Sequence, residues 1–261
     1  MRSWPIYVLA FWFCAVVLAS SVDLAPDAIR LEAILHGPGP VAWLGNDDLG
    51  RNILSRILAG AQVSMTVALV VTAITLSFGV TVGLIAGYFG GWVDRLLMQI
   101  TDVFLAFPGI LLAIAFAAVL GPGLNNLILA LCLTSWVGYA RLTRAQALSL
   151  CGRQHVQAAE SLGAGTPRIM LKHMLPLLSA PLVVEATYSI AGLVIAEASL
   201  SFLGLGIQAP QASWGSMLRD GVRYMLVAPH YVLAVGLSLM SLVLAVNVLG
   251  DKLRDALDVK R

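Results

Sequence analysis

The chain has 261 residues and a formal net charge of +2, with only 11% of its residues charged and 59% hydrophobic. A soluble domain carries about a quarter charged residues and under half apolar ones, so this composition argues against a water-soluble fold. The small basic excess gives no reason to expect a nucleic-acid surface.

The few charges are bunched, and the gaps between the clusters decide the class. No charged residue falls between Arg56 and Asp94, from Phe104 to Ala140, or from Tyr224 to Gly250. A bilayer's hydrocarbon core is about 30 Å thick and takes about 20 apolar helical residues to cross. Within hydrocarbon the chain must satisfy its own backbone hydrogen bonds, so these stretches read as helices despite their β-branched residues. In chain order the predicted spans run from Pro5 to Val22, from about Ser64 to Phe89, and then twice within Phe104–Ala140, which turns at Gly121-Pro122-Gly123 and Asn125-Asn126. The last two run from about Pro181 to Leu203 and from about Tyr231 to Leu249. The expected fold class is all-α: a polytopic membrane protein with six transmembrane helices.

Arg and Lys stay preferentially on the cytoplasmic side of short loops. With both termini inside, that side holds Arg2, Arg95, Arg141, Arg144, Arg153, Arg168, Lys172, Lys252, Arg254, Lys260 and Arg261. The outside then holds Arg30, Arg51, Arg56, Arg219 and Arg223. The expected topology is N-in, C-in. Arg2, a short apolar run and Ala19-Ser20-Ser21 also resemble a secretory signal. The five further spans, and Cys14 behind bulky Phe and Trp, favour an uncleaved first helix.

Residues 1–62 therefore read as a first helix plus an outside segment, and residues 63–261 as the core of the membrane domain. The outside segment ends in LGNDDLGRNILSRILAGAQVSM. There Asp47 or Asp48 can cap a helix starting near Leu49, with Ile53, Ile57, Leu58 and Ala61 on one face. The expectation is an amphipathic helix lying at the membrane surface. Between spans two and three, Asp94, Arg95 and Asp102 mark a cytoplasmic turn with a helical approach, and Pro108 is tolerated near the start of span three.

The most informative segment is Arg141–Pro176, RLTRAQALSLCGRQHVQAAESLGAGTPRIMLKHMLP. Good helix formers flank Gly163-Ala164-Gly165, predicting two short helices joined by a hinge where glycine permits positive φ. A long loop with its own secondary structure is more often functional than incidental. QAAESLGAGTPRIMLKHMLP resembles the cytoplasmic EAA loop of importer-type ABC transporter permeases: Gln157, Ala158, Ala159, Gly163 and Pro176 align with that pattern. His173 stands where the peptide-transporter branch often has His. LGNDDLGRNILSRILAGAQVSM and EASLSFLGLGIQAPQASWGSML resemble the dipeptide, oligopeptide and nickel permeases in particular, and the resemblance covers residues 44–261. The chain departs from the pattern at Gln157, where the family usually has Glu, so an ion pair there is replaced by a hydrogen bond at most.

The resemblance implies half of a translocation pathway for di- or oligopeptides, with nickel or a metal chelate as the alternative cargo. It implies a second homologous permease, two ABC ATPases and a periplasmic or lipid-anchored substrate-binding protein as partners, in the lipid of a bacterial inner membrane. The short helices of the loop would dock in a cleft of an ATPase. This chain has no GxxxxGK[ST] loop, so ATP and Mg are expected in the ATPases, with no cofactor here.

Two acidic residues fall inside span five, Glu185 and Glu197, about 18 Å apart along a helix. A carboxylate in a span is costly unless it faces a cavity or a partner, so each is a candidate for the pathway or a subunit contact. In a rival reading, an ion-gradient transporter, they would carry protons. Trp214 and Gly215, in the outside loop after Pro210, are candidates for contact with the binding protein, or Trp214 for an interfacial aromatic anchor. The histidines His36, His155, His173 and His230 lack ligand spacing, and Cys14, Cys132 and Cys151 lack paired spacing, so neither a metal site nor a disulfide framework is expected.

Overall fold

The longest helix starts where an asparagine caps it. In the computed structural model, which describes residues 4–21 and 24–258, α1 spans Trp4–Ser21 and α2 spans Ile53–Phe89. Asn52 caps α2, its side-chain oxygen accepting from the Ser55 amide at 3.2 Å. The surface-lying helix expected from Leu49 is instead the first turns of α2, buried through Ile53, Ile57, Gly60 and Ala61. Asp47 does not cap it, because its carboxylate is taken by Arg51 at 2.7 Å and Arg56 at 3.3 Å. At 37 residues the helix is about 55 Å long, more than the hydrocarbon core requires.

α3 (Gly91–Leu105) and α4 (Gly109–Leu120) meet at an angle of 83°, with Pro108 at the N-terminus of α4. The expected span three therefore begins at Gly109 rather than Phe104. Proline disfavours helical backbone in the residue before it, and Phe107 lies outside both helices. Arg144 clamps α3 to the bundle through two hydrogen bonds to Asp94, one of them from Nη2 to Oδ2 at 2.6 Å.

α5 (Leu124–Cys151) runs past the expected loop boundary at Arg141 and stops at Gly152. Next come α6 (Gln154–Ser161) and the single turn α7 (Thr166–Arg168), which passes through a wider π turn at Ile169–Met174 into α8 (Leu175–Phe202). The second short helix expected before Pro176 is thus the start of the long helix. The π turn absorbs the missing proline N–H, with the Leu175 amide bonding back to the Met170 carbonyl. α9 (Trp214–Val222) and α10 (Pro229–Asp258) complete the chain. Among the described residues three helices are long and apolar enough to cross a membrane, or four if α3 and α4 count as one bent span. Arg2, Val22, Lys260 and Arg261, which entered the reading of span one and of orientation, lie outside the described residues.

What joins α2 to α5 is a stripe of glycine. A Cβ at Gly79 would lie 2.5 Å from the Trp136 carbonyl oxygen, one at Gly83 2.5 Å from that of Ala140, and one at Gly87 2.6 Å from the Ala147 Cβ. Lipid is as apolar as leucine, so helices in a bilayer associate by close backbone approach, and spacing small residues at i, i+4, i+8 allows it. The main core gathers Trp12, Ile57, Trp214, Tyr231 and Leu242 at one end, and a second cluster at the other packs Leu84, Tyr139, Val156, Ile169 and Met174. Outside them, Leu69, Phe78, Val119, Leu133 and Leu237 are exposed, an apolar outer surface suited to lipid.

Candidate functional site

The segment 152–176 forms an elbow at the end of the bundle where α5 stops and α8 begins. Val156 anchors α6, 1% exposed against the second core, with Ala159 and Ala164 packed beside it. This leaves Gln157 and Ala158 facing outward. At the hinge the Leu162 amide bonds to the Ala158 carbonyl and the Ala164 amide to that of Ala159, both at 3.0 Å. Gly163 carries the turn at φ +79°, a conformation that a side chain would strain. Leu162, beside it, is 88% exposed. His173 is half-buried in the π turn, and Pro176 is exposed two residues past it. The elbow therefore offers a small-residue face and, at its hinge, a bare leucine; Leu171 in the π turn is exposed as well. The sequence pattern marked its glycine but not its leucines, since leucine elsewhere in this chain meets lipid or core.

Glu197 sits in a different environment from the one expected. It is fully buried, with Oε2 accepting from the Ser64 hydroxyl at 2.6 Å and Oε1 from the Ser201 hydroxyl at 2.8 Å. The carboxylate thus ties α8 to α2, and pathway lining and subunit contact are both corrected: no surface of Glu197 is open to cargo or neighbour. Glu185 is half-buried and lines a cavity of about 570 Å³ among α5, α8 and α10.

Trp214 and Gly215 are likewise buried and do not form an exposed contact surface. Trp214 is fully buried, its indole N–H donating to the Ile57 carbonyl at 3.0 Å and its ring edge-on to Trp12 at 5.0 Å. A Cβ on Gly215 would collide with the Ala198 carbonyl. Neither residue can touch a partner or the lipid interface from there. They nail α9 onto α2 and α8, and Ser213 opens α9 as its N-cap, in a capping box with Ser216.

The end opposite the elbow holds a charged knot that sequence reasoning passed over. Asp47 accepts from the Leu49 and Arg51 amides at 3.0 and 2.9 Å, and Arg56 reaches Asp27 at 3.0 Å. Burial, then the charges of Asp47 and Asp220, push the Asp48 carboxyl above its ordinary value. The i, i+4 spacing of Asp47 and Arg51 was the available signal, hidden by reading the aspartates as caps. The described residues hold no group of three or more His, Cys, Asp or Glu able to bind a metal ion.

Long apolar helices, an apolar outer surface and a short helical elbow at one end define a helical, membrane-embedded protein. The chain belongs to the family described as binding-protein-dependent transport system inner membrane component, which matches residues 79–259. It is 42% identical over 254 residues to the dipeptide transport system permease protein DppC of Alkalihalophilus pseudofirmus, covering 97% of this chain and 82% of that one. It is 44% identical over 252 residues to the glutathione transport system permease protein GsiD of Pectobacterium atrosepticum, again covering 97% and 82%. The Escherichia coli O6:K15:H31 GsiD is 47% identical over 236 residues, covering 90% of this chain and 78% of that one. Among solved structures, the inward-facing MetNI methionine ABC transporter superposes with a TM-score of 0.62 at 21% identity, covering 77% of this chain and 95% of that one. The likeness is one of fold. As a permease of this family the chain is a multi-pass inner-membrane transport component and not an enzyme, and ATP hydrolysis belongs to a separate subunit.

Proposed function

We propose that this chain forms half of the translocation pathway of an ATP-driven importer that takes up di- or oligopeptides delivered by a binding protein. The observation that carries the reading is similarity over 97% of the chain to permeases for a dipeptide and for glutathione, both short peptides. That favours peptide over nickel. In this reading the chain crosses the membrane six times, by α1, α2, the bent pair α3 and α4, α5, α8 and α10, with both termini and the elbow in the cytoplasm. Residues 63–261 are the working domain and residues 1–62 an added helix with an outer segment.

The partners are a second, homologous permease, two ATPases that hold ATP and Mg, and a periplasmic or lipid-anchored binding protein. Gln157, Ala158 and Leu162 enter the ATPase cleft, Gly163 sets the angle between α6 and α7, and His173 and Pro176 shape the return into α8. Gln157 contributes a hydrogen bond where an ion pair is usual. The binding protein meets the outer end, where Val41 and Trp43 are 82% and 75% exposed.

The test uses the assembled complex. A cysteine at Ala158 cross-links to an ATPase subunit, and vesicles holding the complex take up labelled dipeptide only with ATP and binding protein. Transport that persists while Ala158→Cys and Leu162→Cys capture no ATPase overturns the docking assignment. Uptake driven by a proton gradient without ATP overturns the importer class.

A further inference from the structure

One face of α8 lines two hollows end to end. Leu177, Pro181 and Tyr188 border the inner cavity of about 570 Å³. Ser189, Gly192, Ala196 and Ser199 continue the same face, at spacings of three and four residues, along a groove of about 430 Å³ against α4 and α5. The groove is apolar, whereas the inner cavity collects charge. Glu185 lines it from α8, Arg153 from the loop after α5, and Arg254 from α10.

Glu185 takes neither a hydrogen bond nor an ion pair from any described residue. A carboxylate within a span that lacks a protein partner needs another source of positive charge or water. On one side the carboxylate lies against α5, where a Cβ on Gly138 would meet it in ordinary contact at 3.5 Å, and on the other it borders the cavity. Antiparallel packing brings Arg254 to the same depth. Gly250 abuts the Tyr188 ring and the Tyr188 hydroxyl donates to Asp251 at 2.6 Å, so one turn onward in α10 meets one turn back in α8. Between them Leu142, Leu150 and Val184 supply apolar wall. Opposite charges across a half-open hollow of this size, walled partly by apolar side chains, match a small zwitterion with side chains of its own.

We propose that this cavity is an inner subsite for the cargo, in which Glu185 holds the terminal ammonium of a short peptide and Arg254, with Arg153 at the mouth, holds its terminal carboxylate. The proposal rests on the peptide-importer reading and names the place where cargo pauses before release into the cytoplasm. Cargo accumulating inside then reoccupies the site and slows further import.

Vesicles containing the whole complex, with binding protein outside and ATP supplied to the ATPases, are preloaded with alanyl-alanine, and uptake of labelled alanyl-alanine is followed. Internal free dipeptide inhibits the parent complex, while N-acetylated or C-amidated dipeptide inhibits it at least about tenfold less strongly. Glu185→Gln raises the internal concentration for half-inhibition by free dipeptide about tenfold and no longer distinguishes the N-acetylated form. Arg254→Gln does the same for the C-amidated form. Half-inhibition unchanged in both variants overturns the subsite while leaving the importer intact. No ATP-dependent dipeptide uptake by the parent complex overturns the peptide reading itself. Co-purified phosphatidylethanolamine that is lost in Glu185→Gln, with inhibition unchanged, makes the cavity a lipid site and refutes the proposal.

Discussion

Replacing Gly83 by alanine adds one methyl group where α2 and α5 touch backbone to backbone. The new Cβ would lie 2.5 Å from the Ala140 carbonyl oxygen, 2.6 Å from the Thr143 Cβ and 3.0 Å from the Arg144 amide nitrogen. None of these is the end of a flexible side chain, so relief requires the two helices to part. Restoring an ordinary contact of about 3.5 Å means moving them by about 1 Å, over an interface that also holds Gly79 and Gly87. Overpacking of this kind costs about 1–3 kcal/mol. With backbone and Cβ atoms as the neighbours the upper part of that range applies, and alanine's better helix propensity returns at most about 1 kcal/mol, leaving a net loss of about 1–2 kcal/mol. At about 2–4 °C for each kcal/mol in a chain of this size, the purified complex should melt several degrees lower. Gly236→Ala in α10 is the control, because nothing lies within 4 Å of its Cβ. Thermal unfolding followed by loss of the monodisperse complex reads both variants. Gly83→Ala as stable as the parent, or more so, refutes the packing argument.

Other sites give results of different sign and size. Glu197→Ala strands the Ser64 and Ser201 hydroxyls and opens a cavity, costing about 2–4 kcal/mol, while Glu197→Gln keeps an acceptor and costs under about 1 kcal/mol; equal melting temperatures contradict this. Trp214→Ala should cost about 3–5 kcal/mol in the same assay, and Trp214→Phe less, by the lost bond to Ile57. Because the Asp48 carboxyl is raised in the folded chain, its ionisation works against folding at neutral pH, and that burden lifts as pH falls through its folded-state value. Asp48→Asn should therefore raise the melting temperature at pH 7, with a gain that shrinks toward pH 4; a gain independent of pH removes the electrostatic explanation. Leu162→Glu should leave the melting of this subunit unchanged and weaken retention of the ATPase on affinity purification, and full retention counts against the exposed leucine as an anchor.

The charge-free stretches determined by themselves that the chain is an apolar helical membrane protein, because crossing hydrocarbon demands a length of apolar helix that nothing else in a sequence imitates. The spacing around Gly163 likewise announced a hinge, since positive φ is written in glycine. Hydropathy cannot distinguish an apolar residue facing lipid from one facing another helix, so it was silent about which faces meet. Only the tertiary structure decided that Gly79, Gly83 and Gly87 abut α5, that Trp214 is core and not surface, and that Glu197 is spent on two serines while Glu185 opens into a cavity. Continuity was also decided there: α2 absorbs the expected surface helix and α8 absorbs the second half of the loop, because side chains packed against other elements sustain a helix past the point where its own sequence pattern would end it.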